Sequence, residues 1–408
     1  MERSRLVSIA VIFSVSFAGT AAFRVSIPAV SFYARSVLEA TALGVGMLTS
    51  AFFFSRALSA IAAGSVADKY GFKVSLLAAI CFALNALAVQ LYGLSSSMAW
   101  FVMVRLMQGA LNGLAWVSMQ YMLGRLAPRG VRGRVFAVYF AAGTFGAVVG
   151  NALYSTLSNA PLTAALTTSS SLFLVTSALT ASLPFLTRGS EIKSDVYVKG
   201  IGTRKSVGAR SPRMLGLTAI IPLAVVVTGS SIIGSVINGD LTYVYIREFL
   251  GIPKYVVADA VAASSVVTLL GTYVLSWVSD RVGDRVSLRL SILTGLVGAF
   301  MMALPSLPAV ITGRALAAVG GSAVMSVSRK VAVTYYGRRG TAVGVINATS
   351  NIGKVVGSLI AGQLYDVMSG CVVPVGTFPA SCFMLAMASF LLIPLLASAS
   401  LPSSGEDG

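Results

Sequence analysis

The sequence predicts an all-α membrane protein in which twelve transmembrane helices form two six-helix bundles related by pseudo-twofold symmetry. Three observations carry that prediction. Of 408 residues, 56% are apolar and only 11% charged, whereas a soluble domain averages about 25% charged residues. Apolar stretches of about 20 residues recur along the whole chain, each long enough to cross a hydrocarbon core of about 30 Å as a helix. Short motifs of the first half also return in the second half, in the same order and at nearly one offset.

The first span, 6–33, follows Arg3 and Arg5. That start also resembles a signal peptide, but the many spans behind it make it a retained first helix. Spans 42–66 and 73–94 flank the cation-bearing segment 67–73, spans 99–123 and 134–158 flank 124–134, and 162–187 completes a first bundle, 1–187. The segment 188–213, RGSEIKSDVYVKGIGTRKSVGARSPR, is the one long polar connection and reads as a cytoplasmic linker. Spans 214–246, 255–278, 287–306, 309–333, 341–366 and 374–397 then form a second bundle, 214–408, ending in a short C-terminal tail.

The net charge of +17 would suggest nucleic acid in a soluble protein. Here the cations are sorted by side. Most lie at the start, in 67–73, 124–134, 188–213, 279–289 and 329–340, while the alternate segments hold only Arg35, Arg247 and Lys254. This asymmetry is the positive-inside rule, so both termini are expected in the cytoplasm and no nucleic acid partner is expected. Histidine is absent, which excludes imidazole metal sites, His-based triads and His proton relays. Cys81, Cys371 and Cys382 show no metal-ligand or redox spacing; Cys371 and Cys382 could meet near the outer face, but unpaired apolar thiols are the plainer reading. The Asn347 sequon falls within a span and is noise, and no phosphate-binding Gly-x-x-x-x-Gly-Lys-Ser/Thr occurs.

Three repeats define the halves. Asp68-Lys-Tyr-Gly71 returns as Asp280-Arg-Val-Gly283, Arg105 returns as Arg314, and FGAVVGN at 145–151 returns as IGKVVGS at 352–358. Parallel repeats of a six-helix unit are typical of secondary transporters. GSVADKYGFK, from Gly64, resembles the Gly-x-x-x-Asp-Arg/Lys-x-Gly-Arg/Lys signature between the second and third helices of the major facilitator superfamily. RLMQGALNG at 105–113 resembles that superfamily's Arg-x-x-Gln-Gly signature in helix four, and SWVSDRVGDR is a degenerate second copy of the first motif. The resemblance covers about residues 5–397 and implies helix two beside eleven, helix five beside eight, and helices one, four, seven and ten around a central cavity.

In that arrangement Asp68 and Asp280 would each face the N-terminus of a neighbouring helix, whose free N–H groups and dipole favour a carboxylate. A conformational latch of Gly64, Asp68, Lys69, Gly71, Asp280, Arg281 and Gly283 is therefore expected at the cytoplasmic face. Gly71 and Gly283 suit tight turns, while Lys69, Lys73, Arg281 and Arg285 would anchor in the headgroup layer. The plainer reading is a solvated loop.

Five cations lie inside spans: Arg24, Arg56, Arg105, Arg314 and Lys354. Each costs about 2.5–3.5 kcal/mol at a helix centre, so such residues usually face a cavity or a partner. Acids at comparable depth are scarce, which points to an anionic substrate. Arg105, Gln108, Asn112 and Trp116 step by three or four along one helix face. With Arg24 and Lys354, the first three are the expected substrate-binding residues, since a guanidinium fork suits a carboxylate or phosphate. Asp240 is expected either to pair with Arg24 across the cavity or to carry a coupling proton, the plainer reading being an outer-end helix cap or loop residue in NGDLTY.

The sequence thus predicts an alternating-access secondary transporter in the cell membrane, a monomer that moves a small organic anion with protons and has no cofactor, no metal and no catalytic residue. The alternative is a proton-driven efflux antiporter for hydrophobic compounds. Against it, the helix-five Gly-Pro-x-x-Gly-Gly pattern of drug antiporters is broken by Ala147 and Asn151. A membrane enzyme would need convergent nucleophile, acid and base groups, for which the chain has few candidates; a receptor or scaffold without transport is a further reading.

Overall fold

The structure is a computed structural model that describes residues 2–94, 97–128, 132–187, 220–335 and 339–401. The linker 188–213 and the start of the seventh span lie outside the described residues. Six long helices make the first half: α1 Glu2–Ser36, α2 Ala42–Tyr70, α3 Val74–Gln90, α4 Met98–Leu126, α5 Arg132–Leu157 and α6 Leu162–Thr187. The seventh span is broken into α7 Ile220–Asn238 and α8 Leu241–Leu250. The second half continues with α9 Lys254–Val282, α10 Asp284–Met302, α11 Leu307–Tyr335, α12 Arg339–Met368 and a twelfth span made of α13 Cys382–Ser389 and α14 Leu392–Ala397. Among the described residues, ten segments are long and apolar enough to cross a membrane. The two long helices that fall short are α4 and α12, which carry Arg105, Gln108 and Asn112, and Asn347, Asn351 and Lys354.

Caps and turns explain several boundaries. Thr41 accepts from the Gly44 N–H at 3.1 Å and starts α2; Ser97 accepts from Trp100 N at 3.2 Å and starts α4. The repeated glycines Gly71 and Gly283 have φ of +57° and +93°, so both turn positions occupy the region that a side chain disfavours. In the first half α2 packs on α4, α1 on α5 and α6, and α3 on α6; in the second, α10 and α9 pack on α11 and α7 on α12. The halves meet along α2 with α12 and α5 with α9.

Two expectations are corrected here. The twelfth span does not begin at 374: β1 Val372–Val375 and β2 Phe378–Ser381 form an antiparallel hairpin, turning at Gly376 with φ +62°. Its register pairs Val372 with Ser381, which sets Cys371 opposite Cys382. These are not free thiols but a disulfide with Cα atoms 5.5 Å apart. Cys81 is buried and free.

Among the described residues, the polar bonds between the halves cluster from the middle of the helices to the end remote from the chain termini. There Asp366, at the end of α12, accepts from the first N–H groups of α2, Ala42 at 2.7 Å and Leu43 at 2.8 Å. Arg35 and Glu248 form a two-point pair at 2.6 and 3.2 Å, and Tyr365 donates to the same carboxylate at 3.0 Å. Ser50 donates to the Val355 carbonyl at 2.8 Å. A chamber below this seal extends towards the end that carries the termini.

Candidate functional site

The chamber measures about 420 Å³ and takes its walls from both halves. Five cations line it, Arg24 (α1), Arg56 (α2), Arg105 (α4), Arg314 (α11) and Lys354 (α12), with Asp240 as the sole acid among the described lining residues. Aromatic rings fill much of the remaining wall: Phe23, Phe52, Phe53, Trp116, Tyr139 and Phe140.

At the sealed end sits a polar knot around Asp240. One carboxylate oxygen takes the Arg105 guanidinium and the Ser31 hydroxyl (2.9 Å); the other accepts from the Thr49 hydroxyl at 2.8 Å. The Asp240 N–H donates back to Thr49 Oγ1 at 2.9 Å. Three helices of the first half thus grip one carboxylate of the second. The break between α7 and α8 makes this possible. A side chain at Gly239 would sit 2.8 Å from Thr49 Oγ1, so only glycine lets α2 come this close. Arg105 is 1% exposed and Asp240 4%. In such burial the loss of either partner is far more costly than the pair is stabilising.

Arg105 also donates to Gln108 Oε1 at 3.4 Å, and Tyr92 donates to the same oxygen at 2.7 Å. Gln108 is therefore a buried support for Arg105 and does not line the chamber. Helix geometry gives the reason. Asn112 and Trp116, seven and eleven positions on, return to the direction of Arg105 to within about 20°, whereas Gln108 lags by about 60°. Asn112 and Trp116 do line the chamber.

Arg24 does not pair with Asp240. Its Nη1 donates to the Asn238 carbonyl at 3.4 Å, because Asp240 lies beyond the helix break at the depth of Arg105. Lys354 and Arg56 flank one ring, Phe53, with Lys354 Nζ 4.5 Å and the Arg56 guanidinium carbon 6.0 Å from its centre. Arg314 is 2% exposed and donates to the Ser264 hydroxyl and, at 3.3 Å, to the Val261 carbonyl.

Of the expected latch, the side chains of Asp68 and Asp280 lie outside the described residues. Gly64 has open space around it, and Lys69 lies 5.4 Å from the Tyr70 ring centre. The described carboxylate on a helix N-terminus is instead Asp366, at the opposite end. In the sequence nothing distinguishes Ser31 or Thr49 from other span hydroxyls. The sequence left the direction of Arg56 and Arg314 open, although the repeat of Arg105 was a usable signal for Arg314. No group of three or more Cys, Asp or Glu among the described residues is placed to hold a metal.

A family model described as Major Facilitator Superfamily matches residues 10–237 and 223–407. No curated protein matches the chain in sequence. Solved structures share the fold over almost the full length. The nucleoside transporter NupG aligns with a TM-score of 0.66 at 15% identity, covering 97% of this chain and 98% of its own. A bacterial homologue of the human lysosomal transporter Spinster, inward-facing and unoccupied, gives 0.68 at 16%, covering 98% of each. The human organic anion transporter MFSD10 (TETRAN) gives 0.65 at 17%, covering 97% and 99%.

Proposed function

The chain belongs to the major facilitator superfamily, and we propose that its chamber carries a small organic anion by alternating access, coupled to protons. The observation behind this reading is the charge of the walls: five cations face one acid, and that acid is already held by Arg105. Guanidinium and ammonium groups in a partly dry chamber favour a ligand that brings its own negative charge. Asn112 and Trp116 offer an amide and a ring beside it. One structural relative is named as an organic anion transporter, which agrees with this reading at the level of fold.

The Asp240 knot is the coupling element in this scheme. Protonating Asp240 removes the charge that holds Arg105, loosens the sealed end and frees the guanidinium. The chain acts as a monomer in the cell membrane with both termini cytoplasmic. The cation distribution supports that orientation, and so does the Cys371–Cys382 disulfide at the remote end, since disulfides persist on oxidising faces. The Asp68 and Asp280 latch would close the other end when the remote end opens.

The aromatic wall favours a second reading, proton-driven export of hydrophobic compounds. Counterflow and pH-gradient-driven uptake in proteoliposomes, run on a panel of carboxylates and phosphate esters, test the first. Saturable uptake that collapses with the gradient supports it. Uptake of none of the anions, with drug resistance in cells that survives Arg24→Ala, supports the second.

A further inference from the structure

Arg105 and Arg314 occupy corresponding places in the two halves, and their surroundings differ in one respect. Both are almost fully buried. Arg105 meets a carboxylate from the seventh span. The repeat mate of that span is α1, whose sole acid is Glu2 at its start, so Arg314 has no matching carboxylate. Its described partners are the neutral Ser264 hydroxyl and Val261 carbonyl, both on α9, and its buried Nε, like that of Arg105, has no partner. A buried guanidinium lacking a counter-ion is costly, and this one lines the chamber.

A second group of cations lies nearer the termini. Arg56 and Lys354 sit about two helical turns further from the remote ends of their helices than Arg314 does, or about 10 Å along the bundle, and Arg24 lies between the two levels. The charges that act on Lys354 are Arg56, Arg329 and Arg24, all of its own sign. The wall between the two levels carries Phe23, Phe52 and Ala318, with the Ser265 hydroxyl among them.

We propose that the chamber takes an organic dianion with two anionic groups about 10 Å apart across an apolar skeleton. Arg314 holds one group, as Arg105 holds Asp240, and the Arg56 and Lys354 tier holds the other. The proposal rests on the organic-anion reading and narrows it.

Ligand-induced thermal stabilisation of the purified protein tests it, with azelate as the long dianion, succinate as the short one, nonanoate as the monoanion of equal length and the diamide of azelate as the neutral analogue. Azelate is expected to bind about tenfold more tightly than nonanoate or succinate. Arg314→Gln and Arg56→Gln should each reduce azelate to the level of nonanoate while leaving nonanoate within a few-fold. If Arg314→Gln does not fold, Arg314→Lys, which keeps the charge and loses the fork, should lower the azelate preference. Equal affinities for azelate and nonanoate, or a preference unchanged in the Arg314 variants, would overturn the dianion proposal and leave the anion reading standing. Binding of the diamide as tightly as azelate would overturn both.

Discussion

Removing Asp240 leaves the Arg105 guanidinium buried with Gln108 as its remaining hydrogen-bond partner. Asp240→Ala is therefore expected to lower stability by about 3–5 kcal/mol, read by thermal unfolding in detergent. Arg105→Met combined with Asp240→Leu should recover most of that loss, because a neutral pair leaves no buried charge unmatched. Asp240→Asn keeps the size and one of the two acceptor oxygens that Ser31 and Thr49 use, but cannot titrate. It is expected to retain counterflow and to lose the response to a pH gradient in proteoliposomes; a response as large as in the parent chain would remove Asp240 from coupling. The sequence singled out both residues but not their pairing. That contact depends on the break at Gly239 and on the approach of α2, which no local pattern of residues records.

The α2 and α12 pair shows how an element end becomes part of a gate. Asp366 satisfies two free N–H groups at the start of α2 across the boundary between the halves, a contact that parting of the remote end would break. Asp366→Ala is expected to cost about 1 kcal/mol in this state alone. It should raise the reactivity of a cysteine placed at Ile27, which lines the chamber below the seal, towards a reagent added from the remote side. The spans were legible because a hydrocarbon core demands long apolar helices, and α4 and α12 could be placed by repeats and flanking cations despite their polar faces. The hairpin at 372–381 was not legible, since CVVPVGTFPASC is apolar enough to read as the head of a span. Its β-branched residues and Gly376 favour strands and a turn. Replacing Cys371 and Cys382 together with Ser is expected to lower stability by about 2–3 kcal/mol, with transport retained.

At the scale of the whole molecule, the two halves make one sealed end and one chamber, and the charge of that chamber was foreseeable from composition. Five span cations against one deep acid had to face something other than lipid. How the cations divide was not foreseeable: one is spent on Asp240, one is buried against neutral groups, two flank the Phe53 ring and Arg24 donates to the Asn238 carbonyl. The account depends on an anion entering this chamber from the end that carries the termini. Ser322 lines that approach, and the parent chain offers just one free thiol, the buried Cys81. The decisive measurement is the rate at which a water-soluble maleimide labels Ser322→Cys with and without ligand. Organic anions that are transported should slow labelling, and neutral amide analogues of the same size should not. Equal protection by the neutral analogue, or none by any transported anion, would contradict the central claim.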